Sequence, residues 1–532
     1  MRLYVLVITV LLLLVACQAE EPPPENAITY GLTLSPSGID PHINSSAELG
    51  IPLRQVYDTL VYRAPQTGEI VPGLATEWTV SEDGLSYTFT LRQDVRFHDG
   101  TSFNAQAVAT NLDRITDNSD PRTASQRAQF LLGPYAGYEI IDDYTIRVNL
   151  SEPYAPLLDG FSQVYLGMAS PAALAEYDRD IYQFHQVGTG PYIFEEYLVG
   201  EYLKLRPNPD YTWGPVLYEP QTDAIPGQIT YRFYTDPPTR RIALESNDVE
   251  IVGELPPTDA RSLIGNDEFV LQPVSIPGQP MQFLMNTTEY PTDNLIFRQA
   301  LLYGTNRSAI VDTIFQGFSP IAWGPITGST LYYNPEVQNA YTYDPDQARA
   351  LLASIGFEDA DENGFLDVDD GDLTITVVHP PWGLTPETAQ LLQDQWREIG
   401  IRADLEPVPG FSALMAKLDS EADPYNLIAF NSFGLDPSLL DEFFLNDGSS
   451  NFTNYSDPEL DSLLRQATRE LSPGVRRDLY AQVQAIIMNQ ALILPIREYV
   501  NLNVAHERVN GLEFDPYGWF PLMNNVSITE TE

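Results

Sequence analysis

Between Gly84 and Leu91 the chain alternates, with Leu85, Tyr87, Phe89 and Leu91 apolar and small polar residues between them. A period of two predicts a strand buried on one face. Ile28 to Leu34 alternates apolar and small residues in the same way, then enters the turn-rich run 35-SPSGIDPH-42. After the Asp99-Gly100 turn, Asn104 is placed to cap a helix carrying Val108, Leu112 and Ile115. Downstream the period switches repeatedly between helix and strand. Asp344-Pro345 opens a helix that Gly356 closes, and Leu373–Val378 reads as a strand. Thr385-Pro386 opens the next helix, with Ala389, Leu392, Trp396 and Ile399 on one stripe, ending at Gly400. Ile401–Glu406 and Tyr425–Phe430 are strands with a helix near Phe411–Leu418 between them. This β-α-β-α-β order predicts a parallel or mixed sheet with right-handed crossovers. Helices over Asp457–Glu470 and Gly474–Asn489 follow, and Leu492–Val504 then reads as one strand-like run.

At 532 residues the chain exceeds the size of a single core, so two or three lobes are expected. The 30 Tyr and 23 Phe argue against extensive disorder. The formal charge of −46 repels nucleic acid and anionic headgroups, which excludes nucleic-acid partners. It either favours cationic solutes or keeps the surface solvated.

The start, 1-MRLYVLVITVLLLLVACQAEEPPPEN-26, has a basic residue at Arg2 and an apolar core from Leu3 to Ala16 of signal-peptide length. Leu14-Val15-Ala16-Cys17 resembles the lipobox of bacterial lipoproteins, and Cys17 is the one cysteine of the chain. The resemblance implies that Cys17 is diacylated and becomes the first mature residue, with an acidic, proline-rich tether behind it. The other reading is a free cysteine beside an ordinary secretory cleavage site. A lone cysteine excludes disulfides within one chain. No other segment is apolar for long enough to cross a bilayer.

Candidate chemistry changes this picture little. His98 beside Asp99 suggests a general base, but His42, His185, His379 and His506 are dispersed. Neither a GxSxG elbow nor a Walker or GxGxxG loop is present. Gly188-Thr189-Gly190-Pro191 fails as a phosphate loop, because the proline removes a donor and a strand follows. His98 therefore reads as part of a turn between two elements.

The same residues carry a resemblance. The run 72-PGLATEWTVSEDGLSYTFTLRQDVRFHDGTSFNAQAV-108 is similar to the signature segment of bacterial extracellular solute-binding proteins of family 5. That family holds the binding components of oligopeptide, dipeptide and nickel ABC importers. Further segments agree in order: 39-IDPH-42, 56-VYDTLV-61, 187-VGTGPYIFEEYLVGEYLKLRPNPDY-211, 281-MQFLMNT-287, 297-FRQALLYGTNRSAIVDTIF-315 and 455-YSDPELDSLL-464. The resemblance implies an α/β, two-lobed periplasmic-binding-protein-like fold (type II, cluster C), with mixed sheets and an extra inserted domain. After a signal peptide (1–16) and tether (17–27), domain I comprises 28–57, 186–278 and 494–532, domain II 58–185 and domain III 279–493. The implied activity is non-enzymatic. A membrane-tethered, extracytoplasmic and monomeric receptor captures a small solute, foremost a short peptide, by hinge closure and delivers it to the ABC permease's transmembrane subunits. Localisation would be the cell membrane, on the periplasmic side in a diderm.

By the same resemblance the cleft wall includes Ser35, Pro36 and Ser37, where many oligopeptide binders carry a glutamate. Phe433 and Asp436 lie in 426-NLIAFNSFGLDPSLLDEFF-444, and the family's comparable aspartate pairs with a peptide's α-amino group. Asp436 also suits an N-cap before Pro437. Trp382 is an apolar wall or a packed surface residue. Arg497 is a carboxylate or phosphate binder, or half of a domain I surface pair.

In 359-DADENGFLDVDD-370, Asp359, Asp361, Asn363, Phe365, Asp367 and Asp370 occupy positions 1, 3, 5, 7, 9 and 12 of a calcium loop, with Gly364 at the bend. Asp370 stands where a longer glutamate is usual. The segment is a structural calcium site or a solvated acidic hairpin, and no cofactor is required. Two other readings remain: a receptor for chelated nickel or haem, and an extracellular hydrolase using paired carboxylates.

Overall fold

The computed structural model describes residues 24–33, 39–43, 47–119, 125–218, 225–368, 371–417 and 424–529. Cys17 with its leader, residues 35–37 and Asp370 lie outside the described residues. Strand β1 (Ala27–Leu32) buries Ile28 and Tyr30, and helix α1 (Ala47–Val56) hands the chain to a second domain. There β2 (Ala75–Val80), β3 (Ser86–Leu91), β4 (Tyr135–Asp142) and β5 (Thr145–Leu150) form an antiparallel sheet in the order β2-β3-β5-β4. The alternation of β3 sends Tyr87, Phe89 and Leu91 inward. Helix α2 (Ala105–Thr116) starts where Asn104 predicts, its side chain accepting from the Ala107 N–H at 3.0 Å, and buries Val108, Leu112 and Ile115. Helix α3 (Gln126–Leu132) completes this domain's cleft-facing side.

Strands β6 (Tyr192–Leu198), β7 (Tyr202–Pro207), β8 (Gln228–Phe233), β9 (Ile251–Val252) and β10 (Phe269–Ser275) return to the sheet of β1. The third domain follows with β11 (Met281–Met285), β12 (Thr374–His379), α4 (Thr385–Arg397), β13 (Arg402–Pro407) and β14 (Leu427–Ala429). It ends with α5 (Leu440–Phe444), α6 (Pro458–Arg469), α7 (Pro473–Asn489) and β15 (Ile493–Arg497). Its sheet runs β13-β12-β14-β11-β15; β12 pairs in parallel with both β13 and β14, so the predicted crossovers build a mixed sheet. On α6 the stripe Leu460, Leu463, Leu464 and Ala467 faces the core, each leucine contributing about 1.5–3 kcal/mol by burial.

Leu492–Val504 is two strands, not one. β15 pairs with β11 in the third domain, whereas β16 (Val500–His506) pairs with β10 in the seven-stranded sheet β10-β16-β9-β1-β8-β7-β6. The boundary expected before Leu494 therefore lies at 498–499. Two crossings run side by side there, joined by the Ile276 N–H donating to the Tyr499 carbonyl at 2.9 Å. A second departure is that Tyr211, Trp213 and Tyr218, expected in domain I, pack into the core of the second domain.

The other pair of crossings, near 56–60 and 187–191, is held by Asp58. Its buried carboxylate accepts from Tyr62 Oη (2.6 Å), Tyr211 Oη (2.9 Å), Thr189 Oγ1 (3.0 Å) and Trp213 Nε1 (3.1 Å). The crossings touch so closely that a Cβ on Gly188 would lie 2.0 Å from the Val56 carbonyl oxygen.

Candidate functional site

The wall of the site begins at a zipper between residues 277–279 and 432–434. The Gln279 N–H donates to the Ser432 carbonyl (2.9 Å) and the Gly434 N–H to that of Pro277 (3.1 Å). Gly278 has φ +124, and a Cβ there would meet the Phe433 Cα at 2.7 Å, so only glycine permits this approach. The zipper holds Phe433 edge-on to Tyr499 (4.8 Å) and Trp519 (5.7 Å), and Tyr499 Oη donates to Asn431 at 3.1 Å.

This wall closes one side of a cleft of about 870 Å³ to which all three domains contribute. The second domain supplies Arg127, Phe130, Gln163 and Tyr165; the C-terminal segment supplies Tyr517, Trp519 and Phe520. The third domain adds Phe411, Asn431–Gly434, Asp441, Glu442, Asp447 and Arg465. Tyr517 is fixed through its hydroxyl, which donates to Asp159 at 2.7 Å; Asp159 also pairs with Arg63 at 2.6 Å.

Charge in the cleft is unevenly matched. Arg465 pairs with Asp447 at 2.6 Å, and Glu442 accepts from Ser450 at 2.8 Å. Arg127 has no carboxylate partner among the described residues; it lies over the rings of Phe130 (5.6 Å) and Tyr165 (5.8 Å), and donates to Gln163 at 3.3 Å. Asp441 uses Oδ2 to accept from Thr468 Oγ1 at 2.7 Å, while its buried Oδ1 has no hydrogen-bond partner among the described residues. Burial, with Asp436 nearby, pushes its carboxyl up to about 7. The lobes also touch beside it: the Ala155 N–H donates to the Thr468 carbonyl at 2.9 Å, and Arg469 pairs with Glu152.

Of the residues singled out in the sequence, Phe433 lines this cleft, Asp436 lines a small recess of about 30 Å³ that shares Phe433, Arg127 and Gln163 with it, and the others described line neither. Asp436 offers no free carboxylate to a peptide amine. Both its oxygens are bound by Arg476 (2.8 and 2.9 Å), and Oδ1 also accepts from the Ser438 N–H (3.0 Å), the capping geometry. Trp382 is 38% exposed on the loop after β12 and does not line this cleft. Arg497 is neither a surface pair nor a cleft residue: it is buried at the crossing, over Phe315 (4.1 Å) and Tyr499 (4.3 Å), donating to Ser319. Burial lowers its guanidinium to about 10. Sequence reasoning missed Arg127, Asp441, Tyr517 and Trp519; the aromatic density of 517-YGWF-520 was the one available signal.

In the acidic loop, carboxylate oxygens of Asp359, Asp361 and Asp367 lie within 4.8 Å of one another. Gly364 makes the bend at φ +93, and Asn363 donates to Asp361 and Asp372. This donor set suits a hard cation. His98 pins the turn to the crossing, with its N–H donating to the Gly188 carbonyl (2.9 Å) and Nε2 bonded to that of Gly190 (3.0 Å). Burial lowers it to about 4, so it is neutral near pH 7.

Two lobes linked by paired crossings, with an aromatic-walled cleft between them, define a solute-binding protein of the two-lobed α/β class. The family model of bacterial extracellular solute-binding proteins, family 5 (middle region), matches residues 69–451, and the chain belongs to that family. It is 30% identical over 450 residues to the glutathione-binding protein GsiB of Escherichia coli O1:K1 / APEC, covering 80% of this chain and 79% of that protein. The GsiB of Salmonella typhi is 31% identical over 437 residues, with the same coverage. Among solved structures, NikA from Brucella suis in complex with Fe(III)-EDTA superposes with TM-score 0.82 at 23% identity, covering 94% of this chain and 100% of that one. DppA from Helicobacter pylori in complex with the peptide STSA gives TM-score 0.75 at 24% identity, covering 95% and 98%. These likenesses establish the fold. No helix among the described residues is long and apolar enough to cross a membrane.

Proposed function

We propose that the chain captures a short peptide outside the cytoplasm, closes on it and passes it unaltered to an ABC permease. The observation that carries this reading is the interlobe cleft, with aromatic walls, a cation without a carboxylate partner among the described residues on one side and a carboxylate with one unpartnered oxygen on the other. A zwitterion with apolar side chains matches all three features. The glutathione-binding relatives add weight to a tripeptide-sized guest. A pure receptor role is supported by the family and by the environment of His98, whose ring is spent on backbone contacts.

Thermal unfolding in the presence of di- to pentapeptides, glutathione and nickel–histidine tests the solute. Stabilisation by at least one peptide is expected, since any ligand of the folded state raises the midpoint. A shift with nickel–histidine and none with peptides would establish the chelate reading instead. The same scan with calcium tests the acidic loop. There we propose a structural calcium ion held by Asp359, Asp361, Asn363, the Phe365 carbonyl and Asp367, with Asp370 as the twelfth position. Calcium should raise the midpoint and EGTA reverse it; an unchanged midpoint removes the ion.

We also propose lipid anchoring through Cys17, supported by the lipobox-like LVAC at 14–17. Cells fed labelled palmitate should label the wild type and not Cys17→Ser; equal labelling of both would remove the anchor.

A further inference from the structure

Asp441 is the cleft residue whose surroundings solute capture alone leaves unexplained. It sits on α5 with Oδ2 accepting from Thr468 and Oδ1 buried without a partner among the described residues. Two arginines face it, and each is already held by another carboxylate: Arg465 on α6 by Asp447 (2.6 Å), and Arg476 on α7 by Asp436 (2.8 Å). The other ionisable groups nearby are the acids Asp436 and Glu442, the phenols of Tyr480 on α7 and Tyr154 from the second domain, and Arg127, which lines the same cleft from the second domain. No described cation pairs with Asp441. A desolvated oxygen in that setting holds a proton far more readily than a solvated carboxylate does, consistent with a carboxyl raised to about 7. Thr468 adds a mechanical link: its hydroxyl serves Asp441, and its carbonyl receives the Ala155 N–H across the lobes. The carboxyl thus lies directly under a contact between the lobes.

We propose that Asp441 releases a proton when the cleft takes up a solute bearing an ammonium group, the solute's N–H taking that proton's place on Oδ1, so that capture is coupled to deprotonation and weakened by acid. This rests on the reading that the solute is a peptide or similar amine. The carboxylic O–H breaks, its proton passes to the buffer, and the ammonium keeps its own protons and donates one hydrogen bond. The sign follows from linkage. Below the carboxyl's own value the free protein holds the proton and binding must expel it, so Kd rises with acid. Above that value binding is independent of pH until the ligand amine itself titrates.

Titration calorimetry with trialanine, in buffers of different ionisation enthalpy, tests the exchange. At about pH 6 close to one proton should be released on binding, and Kd should rise toward about tenfold per pH unit of further acidification. N-acetyl-trialanine, which lacks the ammonium, should bind the wild type more weakly and release no proton. Asp441→Asn keeps the shape and the Thr468 bond; it should bind trialanine without proton release and with a flat pH profile. A wild type that binds trialanine with constant Kd and no buffer-dependent heat overturns the exchange and leaves peptide capture standing. So does Asp441→Asn releasing as many protons as the wild type. If no peptide binds at any pH, both readings fall together.

Discussion

Asp58→Ala is expected to lower the free energy of unfolding by about 4 kcal/mol. Four donors converge on this one buried carboxylate, two on each oxygen. Removing it leaves Tyr62, Tyr211, Thr189 and Trp213 facing a cavity. The Trp213 indole N–H can only donate, although it also reaches the Thr189 carbonyl at 3.1 Å. Asp58→Asn should cost less than half as much. Its amide oxygen can serve Thr189 and Trp213 while its NH2 donates to the two tyrosine hydroxyls, which accept as well as donate. Urea unfolding of the two variants measures the difference. A loss below about 1 kcal/mol for the alanine variant would mean that water replaces the carboxylate, and that the crossing owes its rigidity to its glycines.

Arg476→Ala should be comparably damaging at neutral pH, by about 3–5 kcal/mol, because it leaves the Asp436 carboxylate buried and unpaired. The guanidinium also donates to the Ala467 carbonyl at 2.9 Å and lies over the rings of Tyr332 and Tyr480. The pH dependence separates the charge from the packing. In the wild type, burial works to raise the Asp436 carboxyl, but Arg476 overrides it and holds the group below the usual range. Its contribution is therefore present above the unfolded value of 3.8 and is lost as pH falls through the lower folded value. Without Arg476 the carboxyl moves up and takes a proton in mild acid. The stability gap between variant and wild type should then narrow from neutral pH toward about pH 4. A gap independent of pH would assign the loss to packing alone.

The two aspartates of 436-DPSLLD-441 show where the sequence stopped being informative. Local chemistry identified Asp436 as a cap, and it does cap Ser438. Whether its oxygens were also free for a ligand depended on Arg476, on a different helix, and no local pattern records that partner. Asp441 looks like an ordinary polar position on a short amphipathic helix, yet packing places it in the cleft. Elements governed by short-range rules were legible: the alternation of β3, the Asn104 cap and the β-α-β order of the third domain. The apolar run after Leu492 misled because both of its halves suit a buried strand. The break comes from pairing with β10 and β11, which diverge into different sheets at the same level. Arg497 sits at that bend, where a ligand role and a buried structural role look alike in one dimension.

The direction of β1 has a spatial consequence. β10 runs parallel to it, so the Pro277 side of the cleft lies beyond the end of the sheet at which β1 finishes, while Pro24 and Asn26 lie beside Gly227 at the end where it starts. Six residues of strand separate these ends by about 20 Å. A molecule moored through the residues before Ala27 would carry its mouth at the opposite end of the sheet from the mooring. It would have to tip or stretch on its leash before a channel in the same plane could receive the cargo.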